Sequence, residues 1–381
     1  MPYIGLEHIE EGALHLKGHG WAEDVTSAKS RFKKGDILFG KLRPYFRKAI
    51  IAPFDGVCST DIWVVRAKPG MIQDYVFYWM ASEDFVNFAN SGSVGTRMPR
   101  AKWEHASRHK QRKFSPKEQR AIARILGALD DKIEINRKMN TTLESIAQAL
   151  FQSWFVDFAP IHAKSKGRNP GLSPQIADLF PSGFEDSKFE KIPSRWKFLL
   201  LGEVAQISMG QSPLGSTYNK SNIGLPFYQG GADFQDRYPR KRVFCTAPTR
   251  FANKGDILLS VRAPIGRINI AIERCAIGRG LASVCASNPE NQGFLDIALR
   301  QKSDDWRILE SQGSVFGSAK KSDISNLPIL CPTPEILRIF SNIASALSGQ
   351  MEYNFKENCA LTDIRETLLP KLLSGELHAK A

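Results

Sequence analysis

Two long stretches of the chain place apolar residues at alternating intervals of four and three positions. The first runs over residues 122–154 and the second over residues 340–372. This spacing is typical of a heptad seam, and it predicts two long helices that each carry one apolar stripe. Each stripe is interrupted near its midpoint by two asparagines, Asn136 and Asn140 in the first and Asn354 and Asn358 in the second.

An apolar stripe needs a covering partner, and each predicted helix is the obvious partner of the other. Antiparallel pairing would place Asn136 beside Asn358 and Asn140 beside Asn354. Buried asparagines cost stability but fix the register and orientation of paired helices. The alternative is that both asparagine pairs face solvent on a curved helix. Helices of this length span about 50 Å at ~1.5 Å per residue, so they would hold two globular heads apart.

Internal repetition shows that the chain contains two copies of one unit. Residues 35–38 (Gly-Asp-Ile-Leu) recur as 255–258, and Pro116 at the start of the first helix recurs as Pro334. Before each helix lie short β-type segments that are broken by glycine and proline turns. The predicted fold class is therefore α+β: two mixed, strand-rich domains separated by two long antiparallel coiled-coil helices, with a pseudo-twofold internal repeat. The predicted boundaries are a first strand-rich domain at 1–113, a first spacer helix at 114–158, a linker at 159–194, a second strand-rich domain at 195–333 and a second spacer helix at 334–377.

The first domain lacks one part of the repeat. Residues 196–224 precede Pro226-Phe227-Tyr228 in the second domain, whereas the equivalent Pro2-Tyr3-Ile4 already stands at the first residues of the sequence. Three explanations stay open: a misplaced start, a truncated gene, or a head that begins differently. If the missing part supplies a strand, one edge of the first domain's sheet is left unpaired.

The charge of the chain indicates its partner. Lys and Arg number 52 against 39 Asp and Glu, which gives a formal net charge of +13. Such a surplus favours a polyanion such as nucleic acid. No apolar run is long enough to cross a membrane and no secretory signal is recognisable, so a cytoplasmic protein is expected. The six scattered cysteines fit buried thiols in a reducing compartment.

No catalytic constellation stands out in the sequence. Residues 35–42 come within one residue of a phosphate-binding P-loop, but Leu42 occupies the position of the magnesium-binding hydroxyl, and a buried strand is the favoured interpretation. His105 and His109 are four residues apart without the glutamate of a zinc motif, so a solvated basic surface is favoured over a metal site. We therefore expect no metal and no catalytic residues in this chain.

The candidate nucleic-acid contacts are cations for phosphates and polar or aromatic side chains for base edges, carried by glycine- and serine-rich loops. In the first domain they are Lys41, Arg43, Tyr45, Arg47, Ser93, Thr96, Arg97 and Arg100. In the second domain they are Tyr228, Gln229, Arg262, Arg267, Ser314, Ser318, Lys320 and Lys321.

Taken together, these features resemble the specificity (S) subunit of type I restriction–modification systems. The first helix region at 115–161, the segment 163–196, the strand region 254–271 and the end of the second helix at 368–377 are similar to that family. The resemblance implies that each head is a target recognition domain for one half of a split site in double-stranded DNA. It also implies that the helices set the gap between the halves.

The resemblance further implies a non-catalytic subunit within a larger complex. The helices would dock two modification (methyltransferase) subunits, and restriction/translocase subunits would join them. No cofactor is expected in this chain, because S-adenosylmethionine, ATP and Mg²⁺ would be bound by the partner subunits. The competing interpretation is a structural or interaction protein that binds protein with two heads on a coiled-coil spacer.

Overall fold

The structure, a computed structural model, describes residues 1–12, 14–187, 191–312 and 317–379. The chain divides into two compact units. Unit 1 comprises Met1–Lys138 and Asn354–Ala381, and unit 2 comprises Met139–Tyr353. Within the described ranges, no helix has the length and hydropathy that a membrane span requires.

Two long helices dominate the secondary structure, and each contributes one part to each unit. Spacer helix 1 is Pro116–Phe151, followed by a π-helical turn at Gln152–Val156, and spacer helix 2 is Pro334–Ser374. The start of spacer helix 1 is a capping box, because Ser115 Oγ accepts from the amide of Glu118 at 3.3 Å while the Glu118 carboxylate accepts from the amide of Ser115 at 2.7 Å. The helical starts predicted at Pro116 and Pro334 are confirmed.

The predicted seam is buried near its ends and half-buried at positions such as Leu129 and Leu143. In unit 1, Ile122 and Leu126 pack with Leu369 and Leu372. In unit 2, aromatic side chains carry the same contact, where Phe151 and Phe340 approach to a ring distance of 5.7 Å.

Asparagines occupy the polar layers of this seam. In unit 1, Asn136 is fully buried and donates to Asn358 Oδ1 at 2.9 Å and to Glu357 Oε2 at 2.6 Å. Lys132 also reaches Glu357. Because Asp130 binds Arg365 while Asn136 binds Asn358, the two helices run antiparallel there. In unit 2, Asn140 donates to the carbonyl of Met351 at 3.4 Å.

Unit 1 contains a four-stranded and a three-stranded sheet. The four-stranded sheet has the order Gly20–Trp21, Pro2–Ile4, Gly56–Ser59, Lys29–Phe32. The three-stranded sheet has the order Ala49–Ile51, Ile37–Gly40, Ile62–Val65. The α-helices described in this unit besides the spacer segments are Gln73–Ala81, Glu83–Ser91 and Trp103–Ala106.

Unit 2 repeats this arrangement with additional strands. Its four-stranded sheet has the order Ala205–Met209, Leu281–Ala286, Ile257–Ser260, Ile268–Ile270. Its five-stranded sheet has the order Tyr218–Asn219, Phe244–Cys245, Leu225–Tyr228, Cys275–Ile277, Phe251–Ala252. Two further strand pairs join Lys197–Leu200 to Pro328–Cys331 and Phe184–Asp186 to Lys191–Pro193. The short helices are Ala159–Ser165, Pro174–Ala177, Leu201–Val204, Gln292–Arg300, Ser303–Gln312 and Lys321–Ser325.

The repeat extends to individual hydrogen bonds. Gln73 accepts from the amide of Ala67 at 2.7 Å and donates to the carbonyl of Gly35 at 2.8 Å. Gln292 in unit 2 makes the matching bonds to Ala286 at 2.7 Å and Gly255 at 3.0 Å. The predicted α+β class and internal repeat are therefore confirmed, both by the backbone topology and by these matching side-chain hydrogen bonds.

The segment predicted as a linker, 159–194, is more ordered than the sequence suggested. It forms two short helices and a pair of antiparallel strands, and Ile161, Phe180 and Ile192 are buried. Its proline and glycine residues indicated turns correctly, but its scattered apolar residues pack into unit 2 and order the segment.

Candidate nucleic-acid interface

In unit 2, two strands that are distant in sequence end side by side. Leu225–Tyr228 and Cys275–Ile277 pair in parallel, with Phe227 opposite Ala276. Because parallel strands present their carboxyl ends at the same edge of a sheet, residues 229–231 and 278–280 form neighbouring loops. The amide of Gly280 donates to the carbonyl of Gln229 at 3.0 Å and ties these loops together.

Three polar side chains converge on this pair of loops. Gln229 Nε2 donates to Ser212 Oγ at 2.7 Å, and Arg279 Nε lies 3.3 Å from the same oxygen. Gln229 and Arg279 are exposed, whereas Ser212 is half-buried. An amide and a guanidinium side by side supply the donors and acceptors that read adenine and guanine edges in the major groove. We call Ser212, Gln229 and Arg279 the loop cluster.

Glycines allow the loop cluster to form. A Cβ at Gly280 would lie 2.6 Å from the carbonyl oxygen of Gln229, and one at Gly278 would lie 2.9 Å from Gln229 Cα. A Cβ at Gly210 would lie 2.2 Å from the carbonyl oxygen of Gly278. Since the clashing atoms belong to the backbone, larger residues would push the loops apart.

A second basic surface of unit 2 lies on the loops around 262 and 318. Arg262 and Ser318 form an isolated β-bridge, and Arg262 is exposed. Lys320 and Lys321 are exposed at the start of the helix Lys321–Ser325. Ser314 lies outside the described residues. These cations are available to phosphates, and their DNA contact stays a prediction.

Two predicted residues of unit 2 have internal partners. Tyr228 is 1% exposed and packs in a core cluster with Leu258 and Ile277, so its inclusion among the DNA contacts is corrected. Burial also raises the pKa of its phenol. Arg267 donates to the carbonyl of Gly231 at 2.8 Å and so supports the loop that follows Gln229.

Unit 1 places its basic residues on the loop 91–102. Val94 and Arg100 close this loop by a β-bridge, and Arg100 also forms a bidentate ion pair with Asp61 at 2.8 and 3.1 Å. Thr96 and Arg97 are exposed, and Tyr45 is 49% exposed. Lys41 and Ser93 are half-buried beside the same loop.

Arginines 43 and 47 are held inside unit 1. Arg43 donates to the carbonyl of Arg97 at 3.2 Å and lies over the ring of Phe46. Arg47 Nη2 donates to Glu366 Oε1 at 3.1 Å, and the Arg47 side chain is 16% exposed. The Arg47 guanidinium therefore fixes the fold of unit 1, in contrast to the phosphate contact predicted from the sequence.

The two histidines singled out in the sequence have partners within unit 1. In the part of the chain that the structure describes, no group of three or more histidine, cysteine or carboxylate side chains could hold a metal ion. His109 accepts from Trp79 Nε1 at 3.0 Å, and His105 stacks on Phe88. The P-loop-like segment is the fully buried strand Ile37–Gly40, as the favoured interpretation predicted. Burial raises the pKa of the Cys275 thiol to about 12, so it is not a nucleophile at neutral pH.

The sequence prediction named Gln229 but not Ser212 or Arg279, which the structure places beside it. The available signal was the run Gly278-Arg279-Gly280 directly after an apolar strand. It was recognisable only once the strands 225–228 and 275–277 were known to pair in parallel, which places both loops at one edge.

The known proteins that this chain resembles share one description. A family model described as the type I restriction modification DNA specificity domain matches residues 193–352. The chain is 27% identical to the type I restriction enzyme HindI specificity subunit of Haemophilus influenzae, over 96% of this chain and 91% of that protein. It is 25% identical to the MjaIX specificity subunit of Methanocaldococcus jannaschii, over 92% and 79% of the two chains.

A solved structure shares the fold. The crystal structure of the S subunit of a type I restriction-modification system from M. genitalium matches 98% of this chain and 88% of its own, with a TM-score of 0.55 and 16% identity. At this identity the likeness concerns the fold alone.

Proposed function

Since this chain belongs to the family of type I restriction–modification specificity subunits, we propose that its two units read the two halves of a split DNA sequence. The observation that carries the proposal is the loop cluster of unit 2, where an exposed amide and an exposed guanidinium share one hydroxyl. Its relatives favour DNA recognition over the alternative of a two-headed protein-binding spacer.

The two units are expected to read different base sequences. The position that corresponds to Arg279 in unit 1 is Thr60, and Gly5 corresponds to Gln229, as judged from the matching pairs Ile4–Cys58 and Tyr228–Ile277. A hydroxyl and a glycine offer no bidentate contact to a base edge. Unit 1 would therefore rely on its loop 91–102 and read a different half-site.

In this proposal the chain is the reading component of a larger assembly and performs no chemistry itself. Two modification subunits would bind the spacer helices, and these subunits would hold S-adenosylmethionine. Restriction subunits with ATP and Mg²⁺ would complete the complex. The basic charge of +13 supplies the phosphate attraction that positions the units before base reading.

The test is methylation mapping with single-site variants. The chain is co-expressed with the modification subunit of its own system in a methylation-free host, and modified bases are located by sequencing. We expect a split motif with two different halves. Arg279→Ala should relax one base position in one half, because a bidentate arginine contributes about 1–3 kcal/mol of discrimination, and should leave the other half unchanged.

The matched control is Arg307→Ala, which removes an exposed arginine of unit 2 that pairs with Asp304 outside the loop cluster. It should leave the motif intact. A motif that Arg279→Ala and Gln229→Ala both leave unchanged would remove the loop cluster from base reading. No methylation with the unaltered chain, together with DNA binding that is insensitive to salt, would favour the protein-binding alternative.

A further inference from the structure

An apolar side chain lies exposed in the loop that contains Ser212. Leu214 is 77% exposed, the largest exposed fraction of any large apolar side chain in the described residues. Single exposed apolar residues are common on protein surfaces, so exposure alone assigns Leu214 no role. The contacts of its loop and the position of that loop beside the loop cluster supply the further observations.

Hydrogen bonds hold the loop on both sides of Leu214. The carbonyl of Leu214 accepts from the amide of Thr217 at 3.0 Å and from Thr217 Oγ1 at 2.7 Å. The phenol of Tyr218 donates to the carbonyl of Pro213 at 2.9 Å. The ring of Pro213 also restricts the backbone directly before Leu214. The leucine side chain is therefore presented to solvent from a fixed backbone.

The same loop is attached to the edge that carries the loop cluster. The amide of Gln211 donates to the carbonyl of Ile277 at 3.0 Å, and Ser212 Oγ is the oxygen that both other members of the loop cluster contact. Leu214 follows Ser212 by two residues, so their Cα atoms are at most about 7 Å apart. Since successive base pairs are about 3.4 Å apart, a duplex read by the loop cluster would pass within about two base-pair steps of Leu214.

We propose that Leu214 contacts the C5 methyl group of a thymine next to the bases that the loop cluster reads, and that the half-site of unit 2 requires thymine there. This inference rests on the function proposed above. The thymine methyl is the apolar group that base pairs display in the major groove, and an apolar side chain recognises it by contact. The amide and the guanidinium of the loop cluster read hydrogen-bonding groups, so Leu214 would add a base identity that they do not distinguish.

The charge around Leu214 favours DNA over a protein partner. Between Glu203 and Asp233 the sequence contains no acidic residue, whereas Lys220 and Arg279 are exposed. A surface with cations and without carboxylates suits a phosphate backbone. The exposed residues directly after Leu214 are glycine and serine, which add little apolar surface, while the core of a protein interface is a larger apolar patch.

The test uses the full chain assembled with its modification subunit, and duplexes that carry the split site found by methylation mapping. In the half that Arg279→Ala relaxes, each thymine is replaced in turn by deoxyuridine, which removes only the C5 methyl group. One replacement within about two steps of the relaxed position should weaken binding about fourfold, the effect of one buried methyl group. Leu214→Ala should weaken binding to the thymine duplex at least as much, and the same replacement should then cause no further loss. Equilibrium titration with labelled duplexes measures both effects.

The matched control is Leu200→Ala, which removes another exposed leucine of unit 2. Leu200 is 42% exposed and precedes the five-residue strand Ala205–Met209, whereas the loop with Leu214 follows that strand. At ~3.3 Å per residue the strand separates the two leucines by about 16 Å. Leu200→Ala should bind the thymine and deoxyuridine duplexes as the unaltered chain does.

The remaining outcomes separate this inference from the proposed function. If Arg279→Ala relaxes the motif but every deoxyuridine replacement affects Leu214→Ala and the unaltered chain equally, the thymine contact is overturned and DNA reading by unit 2 stands. A half-site without thymine within reach overturns it as well. So does a Leu214→Ala chain that no longer assembles with the modification subunit, since that result would assign Leu214 to a protein contact. A motif that Arg279→Ala and Gln229→Ala both leave unchanged removes base reading by the loop cluster, and the thymine contact with it.

Discussion

In unit 1 the most deeply buried charged side chain among the described residues, Arg365 at 1% exposure, belongs to a spacer helix. In unit 2 it is Asp296 at 4% exposure, which belongs to the helix Gln292–Arg300 of the strand-rich part. Both residues lie where strand-rich elements of their own unit meet the spacer-helix segments. The two units thus bury a charged side chain at the same kind of contact, but the buried charge is positive in unit 1 and negative in unit 2.

The partners in unit 1 surround the arginine with oxygen atoms. Arg365 Nη1 binds Asp130 at 2.5 Å, and Arg365 Nη2 binds Glu366 at 2.8 Å. Tyr78, from the helix Gln73–Ala81, donates to Asp130 at 2.7 Å, and Arg47 binds Glu366. Burial lowers the pKa of Arg365, but Asp130 and Glu366 outweigh it and raise the pKa above its ordinary value.

The partners in unit 2 surround the carboxylate with cations. Arg237 Nη2 binds Asp296 at 2.6 Å, and Arg300 Nε binds it at 2.9 Å. The spacer helices contribute Ser348, which accepts from Arg237 at 2.9 Å, and Glu144 at 3.8 Å from Arg237. The comparison shows that the two units share their backbone topology. The ionic contacts between the strand-rich part and the spacer-helix segments, in contrast, use different residues in each unit.

Asp296→Ala should produce the largest effect and should confine it to unit 2. The change removes the nearest carboxylate of the buried Arg237 and Arg300 and leaves them only the more distant Glu144, which costs about 3–5 kcal/mol. The opening free energies come from hydrogen exchange at Ile257–Ser260 in unit 2 and at Ile37–Gly40 in unit 1. Asp304→Ala is the control, because Asp304 is exposed and pairs with the exposed Arg307 on the same helix. Equal losses in both units would show that the anchors are not independent.

Asn136→Leu tests the polar layer of unit 1. The single change leaves Asn358 Oδ1 without its donor and leaves Glu357 with Lys132, and we expect a loss of about 1–3 kcal/mol in the free energy of unfolding. Replacing both Asn136 and Asn358 with leucine should restore stability to within about 1 kcal/mol, because neither polar partner is then stranded. Urea unfolding of the four proteins of this double-mutant cycle measures the coupling. Additive losses would mean that the two asparagines do not act as a pair.

Acidification tests whether the ionised carboxylate of Asp296 stabilises unit 2. Burial would raise the pKa of Asp296, but Arg300 and Arg237 outweigh it and hold the pKa below its ordinary value of 3.8. The carboxylate therefore contributes stability that is complete above about pH 4 and is lost as pH falls through the folded-state pKa. The stability difference between the unaltered chain and Asp296→Asn should shrink by at most about 1.4 kcal/mol per pH unit in that range. Denaturant titrations between pH 5 and 2 check this, and a difference that grows on acidification would contradict it.

The heptad pattern predicted the spacer helices well because their burial depends on local periodicity. Ile122, Leu126 and Phe340 are buried where the pattern placed them. The ionic anchors could not be predicted in this way, since Asp130 and Arg365 are distant in sequence and nothing in either segment marks the other. Contacts between distant segments also decide which residues of the candidate site are exposed, so the sequence alone could not identify them. Tyr228 and Arg279 lie on paired strands and their loops, and only the pairing shows that the tyrosine is buried and the arginine is exposed.

Unit 1 is built from two segments that are distant in sequence, and this affects the order in which the chain folds during synthesis. Its core combines Ile122 and Leu126 with Leu369 and Leu373, whereas unit 2 is one continuous segment. During synthesis at ~5–20 residues per second, unit 1 waits roughly 10–40 seconds between its first and last segments, while unit 2 can fold as soon as it emerges. A ribosome-bound chain that already holds a finished unit 2 therefore still exposes the apolar face of Pro116–Lys138. Chaperones that recognise apolar helices would find their target there until the last helix arrives.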